Sequence, residues 1–249
     1  MRYLLFLSIF FFACQAKEKV EVPSTPAITY PDAFAKVLNA HGGLEAWNSY
    51  RTLSYTMGEE KQTIDLHDRR ELIEGPNFTM GFDGEQIWSK ADTTWKGNPL
   101  FYKNLIFYFY AMPFVLADPG INFDKTEDLF FEGVSYPGYR ISYDQGVGLS
   151  PKDEYFIHYD PTSHQMTWLG YTVTYFSGEK SEKISWIKYD DWDDVGSVVL
   201  PNSIEWHQTE ENQPTEPRNR REFSDIRLNM KAAAEGTYTK VEGAEFVEE

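Results

Sequence analysis

Short runs of alternating apolar and polar residues recur along most of the chain, and they restrict the fold more than any other feature. Residues 53–57 alternate, and residues 78–82 alternate strictly before an Asp83-Gly84 pair. Alternation with period two is typical of a half-buried strand, and Asp-Gly between two such runs predicts a tight hairpin. About ten to twelve runs of this kind predict an antiparallel, mainly β fold without parallel βαβ units.

Several of these predicted strands carry large apolar residues on both faces. Phe156 lies between Tyr155 and Ile157, and Ile187 follows Trp186. A sheet with one solvated face would not show this pattern, so something must cover the second face. The sequence predicts few helices, one of them at residues 30–40. We therefore expect a strongly curved antiparallel sheet, a half-barrel, with this N-terminal helix and an apolar helical insert over its concave face.

The candidate insert is the aromatic stretch Pro99 to Pro119, which has no charged side chain between Leu105 and Ala117. Asn98 can cap a helix and proline suits its first position, so we predict a helix over 99–112 and a short turn ending at Asp118. The stretch is too short to span a bilayer, which needs about 20 apolar residues. It is either an ordinary core helix or a lid over a cavity.

The N-terminus predicts export. Residues 1–13 combine Arg2 with an apolar run, as a secretory signal does. Ala13 before Cys14, the single cysteine of the chain, resembles the lipobox of bacterial lipoproteins. That resemblance implies cleavage before Cys14 and acylation of it, which would anchor the protein to a membrane. We expect residues 14–29 to form a tether in the cell envelope, on the periplasmic or surface face of the outer membrane.

Composition limits the partners. The chain of 249 residues has a formal net charge of −16, so nucleic acid is not an expected partner. We expect a single domain over residues 30–230, a flexible acidic tail over 231–249 and a monomer. With one cysteine, no internal disulfide can form.

Chemical motifs predict no enzyme. The sequence contains no GxSxG, HExxH, P-loop or GxGxxG pattern, and we expect no catalytic residue, metal or cofactor. The densest acidic cluster, Asp190 to Asp194, is interpreted as a solvated loop, with a Ca²⁺ site as the alternative. His41, beside two glycines that can end a helix, is interpreted as structural.

The order of elements resembles the lipoprotein-localisation carriers of the Gram-negative envelope. The resembling residues are the hairpin Phe82-Asp83-Gly84-Glu85-Gln86-Ile87-Trp88 and the insert around 105–116. The stretch His41 to Trp47 also resembles the opening of a group of envelope lipoproteins of unknown function. The resemblance implies a half-barrel whose hydrophobic cavity holds acyl chains.

These observations predict an anchored lipoprotein that binds an apolar ligand, a lipid or acyl chain, under an aromatic lid. The alternatives are a surface glycan-binding module and an envelope hydrolase with an acidic pair. Burial of an acyl chain would drive binding at about 0.8 kcal/mol per CH₂. The expected cavity lining is Tyr55, Met80, Phe82, Trp88, Leu105, Phe109, Phe114, Tyr171 and Trp186.

Overall fold

A computed structural model of the protein describes residues 30–143, 152–174 and 178–248. The signal sequence, Cys14 and the tether lie outside the described residues. The helices are α1 (Asp32–Ala40), α2 (Leu44–Ser49), α3 (Pro99–Tyr102) and α4 (Leu105–Tyr110), and a 3₁₀ turn follows at Phe114–Ala117. The strands are β1 (Thr52–Met57), β2 (Glu60–Asp65), β3 (Glu71–Glu74), β4 (Phe78–Phe82), β5 (Ile87–Ala91), β6 (Ile121–Lys125), β7 (Leu129–Phe131), β8 (Val134–Tyr136), β9 (Gly138–Tyr143), β10 (Tyr155–Tyr159), β11 (Met166–Tyr171), β12 (Ser185–Val195), β13 (Val198–Glu210), β14 (Gln213–Asn229) and β15 (Glu245–Phe246).

Thirteen of these strands form a single sheet in the order β15-β5-β4-β3-β2-β1-β14-β13-β12-β11-β10-β9-β6. All of its pairings are antiparallel, and the sheet does not close on itself. The hairpin predicted at Asp83-Gly84 joins β4 to β5, and Gly84 has the positive φ of 109° that such a turn requires. The predicted mainly β fold with an open antiparallel sheet and few helices is confirmed.

We call the sheet face that carries the aromatic stretch the inner face and the opposite one the outer face. Register places Tyr55, Gln62, Ile73 and Met80 side by side across β1 to β4. Directly paired residues point to the same face, so all four lie on the inner face. Helix α1 packs its apolar stripe, Phe34, Val37 and Leu38, into the same core.

The aromatic stretch, residues 99–117, is named the insert from here on. It is not the continuous helix that was predicted over 99–112, because Asn104 adopts a left-handed conformation with φ 55° and separates α3 from α4. The backbone N–H of Asn104 donates to Oε2 of Glu71 at 2.7 Å, a partner 33 residues away in the chain. Asparagine tolerates this conformation better than most residues. The predicted cap is confirmed, since Oδ1 of Asn98 accepts from the N–H of Leu100.

The outer face has its own covers. The hairpin β7–β8 packs Leu129 and Phe131 over Trp168 and Trp186. At the other end, Trp88 lies over Gly81, where an added Cβ would come within 2.6 Å of the indole ring.

The C-terminal residues complete that end of the sheet, and the prediction of a flexible tail is wrong for them. The indole N–H of Trp88 donates to the carbonyl of Tyr238 at 2.9 Å, and β15 pairs with β5. Tyr238 and Ala244 are buried. A short, mostly polar sequence gave no alternation from which this docking could be predicted.

The acidic cluster is also placed differently from the prediction. Asp190 to Asp194 lie within β12 and not in a loop. Arg220 of β14 reaches Asp190 and Asp191 at 3.6 and 3.3 Å, and Asn202 donates to Asp191. The turn follows at Gly196, as expected for a hairpin. The strand tolerates its acidic residues because its neighbours supply positive charge and donors.

Candidate functional site

The insert covers the inner face mainly through ring contacts. Phe114 stacks on Trp47 with ring centroids 4.6 Å apart, and Phe109 contacts Tyr171 at 5.1 Å. Tyr110 meets Tyr55 at 4.4 Å. Aromatic pairs at these separations stabilise beyond the area that they bury. The insert therefore fills the inner side of the sheet with apolar surface.

Among the described residues, the backbone–backbone hydrogen bonds of the insert stay within residues 98–118. One backbone N–H, that of Asn104, bonds outside the insert, to the side chain of Glu71. Contact with the rest of the protein uses side chains: Tyr189 donates to the carbonyl of Phe109 at 2.7 Å, and Tyr30 donates to the carbonyl of Ala117 at 2.8 Å. An insert held in this way can move off the sheet without breaking a strand ladder.

A buried carboxyl lies where α4 begins. Glu71 is 1% exposed, and the N–H of Asn104 donates to its Oε2. Its Oε1 is buried and has no hydrogen-bond partner. Burial raises the pKa of Glu71 from 4.5 to about 7, since a carboxylate loses its hydration there.

Three further polar atoms at the junction of sheet and insert are buried without a partner among the described residues. They are Nε2 of Gln62, Oδ1 of Asn104 and the hydroxyl of Tyr110. The hydroxyl of Tyr55 donates to Oε1 of Gln62 at 2.6 Å, while its ring touches that of Tyr110. We name Gln62, Glu71, Asn104 and Tyr110 the polar seam, because two belong to the sheet and two to the insert. Each unsatisfied buried group costs about 1–3 kcal/mol.

The structure brings five of the predicted cavity residues together. Tyr55, Phe109 and Phe114 belong to the main core, and Leu105 and Tyr171 pack at its margin. All five lie where the insert meets the inner face. The interface between the insert and the sheet is closely packed, so a ligand there would have to displace the insert.

The other four predicted lining residues lie elsewhere. Met80 is on the inner face but in a smaller cluster with Ile73 and Phe78. Phe82 is half-buried under the ammonium of Lys103, 3.6 Å from its ring centroid. Trp88 and Trp186 are on the outer face. Trp88 pairs with Gly81, the neighbour of inner-face Met80, and Trp186 precedes the core residue Ile187 in its strand. Cys14, the predicted lipidation site, is outside the described residues.

The polar seam was not predicted, although one signal for it existed. Gln62 and Glu71 occupy the alternating positions that their strands otherwise fill with Ile64 and Ile73. A polar residue in the apolar phase of a strand points to the interior, where it needs a partner. Asn104 and Tyr110 could be linked to them only by the fold.

His41 occupies the structural role that was predicted for it. It is fully buried, its Nε2 accepts from the N–H of Met166 at 3.1 Å, and its Nδ1 therefore donates to the carbonyl of Val199 at 3.3 Å. Burial lowers the pKa of His41 to about 4. The neutral ring ties the end of α1 to two strands.

Within the described ranges, no group of three or more His, Cys, Asp or Glu side chains is arranged to hold a metal ion. The helices of the same part of the chain are too short or too polar to cross a bilayer. Two surface clefts of about 440 and 360 Å³ are lined by residues outside the insert.

Comparison with known proteins finds one matching family model and several similar solved structures. A family of unknown function, DUF6503, matches residues 86–196, which is less than half of the chain. The matched part contains the whole insert. No curated protein matches the sequence.

Several solved structures are similar to the chain, and three examples follow. A LolA superfamily protein from Nitrosomonas europaea has a TM-score of 0.45 at 7% identity, covering 76% of this chain and 87% of its own. A DUF1329 family protein from Desulfovibrio piger has a TM-score of 0.49 at 6% identity, covering 83% and 95%. A domain assigned as an outer membrane lipoprotein-sorting protein, from Vibrio parahaemolyticus, has a TM-score of 0.38 at 8% identity, covering 80% and 97%.

Two of these three structures carry the LolA or lipoprotein-sorting description. At such low identity the likeness concerns the fold and extends to no ligand or residue.

Proposed function

We propose that this protein is an envelope lipoprotein, anchored through Cys14, that binds an apolar chain between the insert and the inner face of the sheet. The observation that carries the proposal is the attachment of the insert. Ring contacts and hydrogen bonds that involve a side chain hold it, and among the described residues no backbone–backbone hydrogen bond joins it to the sheet. Such an element can exchange its apolar contacts with the sheet for contacts with a ligand.

The energetics of this exchange are favourable for a long chain. A dozen buried methylenes contribute about 10 kcal/mol by transfer from water. Against this stand the opening of the insert and the ordering of the chain, which together cost several kcal/mol. Rings such as Phe109 stay in an apolar setting when they turn from the sheet to the ligand, so the cost of opening is partly recovered.

A binding role fits the inner face better than the alternatives do. A glycan platform would need exposed aromatic rings in a row, and all seven tryptophans, each within the described residues, are buried or half-buried. The interface between the insert and the sheet is instead buried and apolar, and its polar groups are those of the polar seam. We therefore place a ligand with a long apolar part at this site.

The anchor is tested by fractionation of the Cys14→Ser variant. Without its acylation site the protein should move from the membrane to the soluble envelope fraction. Unchanged membrane association would remove the anchor from the proposal.

Binding is tested on the full Cys14→Ser chain stripped of lipid, with two probes labelled on the chain, a fatty acid and a monoacylglycerol. At least one should bind saturably, and Phe109→Ala should weaken it about tenfold or more by removing an apolar contact. Phe130→Ala is the matched control, because Phe130 is 65% exposed on the hairpin β7–β8. No saturable binding of either probe would refute the proposed function.

A further inference from the structure

The polar seam has an unfilled pattern of hydrogen-bonding groups. Oε1 of Glu71 and Oδ1 of Asn104 are acceptors, Nε2 of Gln62 is a donor, and the hydroxyl of Tyr110 is either. Buried groups of this kind are rarely left unpaired in native proteins. Together they outline what a complementary group must offer, namely donors and at least one acceptor on the same small unit.

These atoms belong to one place in the fold. Glu71 and Asn104 are joined by a hydrogen bond across the junction between sheet and insert. Gln62 and Tyr110 are joined through Tyr55, which hydrogen-bonds to one and packs on the other. Gln62 and Glu71 lie on adjacent strands, with Gln62 beside Ile73 and Glu71 beside Ile64. The seam is therefore a polar strip along α4 within an otherwise apolar interface.

The charges around the seam decide which ligand class fits. A cation that acts on Glu71 is Lys103, whose ammonium lies over the ring of Phe82, and its attraction does not offset the burial of the carboxyl. A carboxylate head group would add a second buried negative charge beside Glu71, and like charges repel strongly in a low-dielectric interior. An ammonium head would pair with Glu71, yet it would leave the donor of Gln62 unsatisfied.

We propose that the polar seam binds the uncharged head of an amphiphile, a hydroxyl- or amide-bearing group, whose chain lies along the inner face. This inference rests on the proposed function and adds a selection by head group. Hydroxyls both donate and accept, so a glycerol head can satisfy Glu71, Asn104 and Gln62 together.

The test compares three probes of equal chain length, a monoacylglycerol, a fatty acid and an alkylamine. Each is titrated below its critical micelle concentration into the full Cys14→Ser chain at pH 8.5. The monoacylglycerol should bind at least tenfold more tightly than the fatty acid and more tightly than the amine. Glu71→Gln should reduce the preference over the fatty acid at least fivefold, because an amide N–H can donate to a carboxylate.

A second variant leaves the shape of the site unchanged. Tyr110→Phe removes a hydroxyl without a partner and should weaken monoacylglycerol binding several-fold while the fatty acid is unaffected. Tyr108→Phe is its control, since Tyr108 is 41% exposed.

The outcomes separate the two proposals. Equal affinity for all three probes, or tightest binding of the amine, would overturn the head-group inference and leave chain binding intact. Head-group preference that neither Glu71→Gln nor Tyr110→Phe changes would move recognition away from the seam and overturn the inference as well. Absence of binding by every probe would overturn the proposed function and this inference together.

Discussion

Glu71 is a buried acid whose proton is held more tightly in the folded protein than in the unfolded chain. Its pKa rises from 4.5 to about 7 on burial. The stabilisation that the protonated Glu71 contributes is therefore complete below pH 4.5, and it is lost as the pH rises through 7. The loss is roughly 3 kcal/mol, at 1.36 kcal/mol for each pKa unit.

Glu71→Gln should abolish this loss. We expect the variant to exceed the wild type in unfolding free energy at pH 8 by up to roughly 3 kcal/mol, with the difference shrinking toward pH 4.5. Urea unfolding at several pH values measures it. Glu74→Gln, an exposed position on the same strand, is the matched control. An advantage that is equal at pH 4.5 and pH 8 would show that Glu71 does not titrate as described.

His41 gives the opposite dependence. Its pKa falls from 6.5 to about 4, so the neutral ring stabilises the fold above pH 6.5 and this contribution is lost as the pH falls through 4. His158, also buried and also shifted to about 4, adds to the effect. His41→Gln keeps a donor and an acceptor but cannot titrate. We expect it to lower the acid sensitivity of unfolding between pH 6.5 and 4 by about one proton, and an unchanged slope would contradict this role.

Among the elements, the insert has two ends with different attachments. Phe114 is 1% exposed and stacks on Trp47 of α2. The 3₁₀ turn that contains Phe114 therefore connects α2 to the core. Phe109 faces Tyr171 and Trp206 on the sheet. If α3 and α4 open while the rest stays folded, contacts made only in the closed state stabilise the protein by no more than the free energy of opening.

The two phenylalanines should therefore respond differently to truncation. We expect Phe114→Ala to cost about 3–5 kcal/mol, as for a core ring. Phe109→Ala should cost roughly 1–2 kcal/mol, the free energy that we expect for opening. Chemical unfolding of both variants measures this. Equal costs of about 3–5 kcal/mol, with ligand affinity retained, would make the whole insert ordinary core.

Local pattern was sufficient for much of the element structure. Alternation identified β1 and β4, Asp83-Gly84 identified the hairpin that joins β4 to β5, and the apolar stripe that includes Phe34 identified α1. These elements follow from neighbours within a few residues. The interruption at Asn104 could not be read in the same way, because its cause is Glu71, 33 residues away.

The candidate site was predictable only in part, for the same reason. Tyr55, Phe109 and Phe114 are large and apolar, and they lie where the insert meets the inner face of the sheet. Trp88 and Trp186 are equally large but lie on the other face, where the hairpin β7–β8 and the C-terminal residues cover them. Segments distant in the chain bury these two residues, and such burial leaves no periodic pattern in the local sequence. A prediction from the size of the side chain therefore assigned both tryptophans to the wrong face.

For the whole molecule, the docked C-terminus completes one edge of the sheet. A chain ending at Lys231 loses the carbonyl of Tyr238 and strand β15, and it exposes Trp88. We expect a loss of roughly 2–4 kcal/mol and a red shift of tryptophan emission. A chain ending at Val247 keeps β15 and its bond to Ile87, and serves as the control. Wild-type emission and stability in the shorter chain would contradict this docking.

The central claim, that an apolar chain binds between the insert and the inner face, is tested most directly by photo-crosslinking. A monoacylglycerol with a diazirine in mid-chain is bound to the full Cys14→Ser chain, irradiated, and located by peptide mass spectrometry. The account predicts labels within residues 99–117 and on inner-face strands such as β1 and β11, lost when unlabelled monoacylglycerol competes. Labels confined to the outer-face hairpin at 129–136, or labels that competition does not remove, would contradict it.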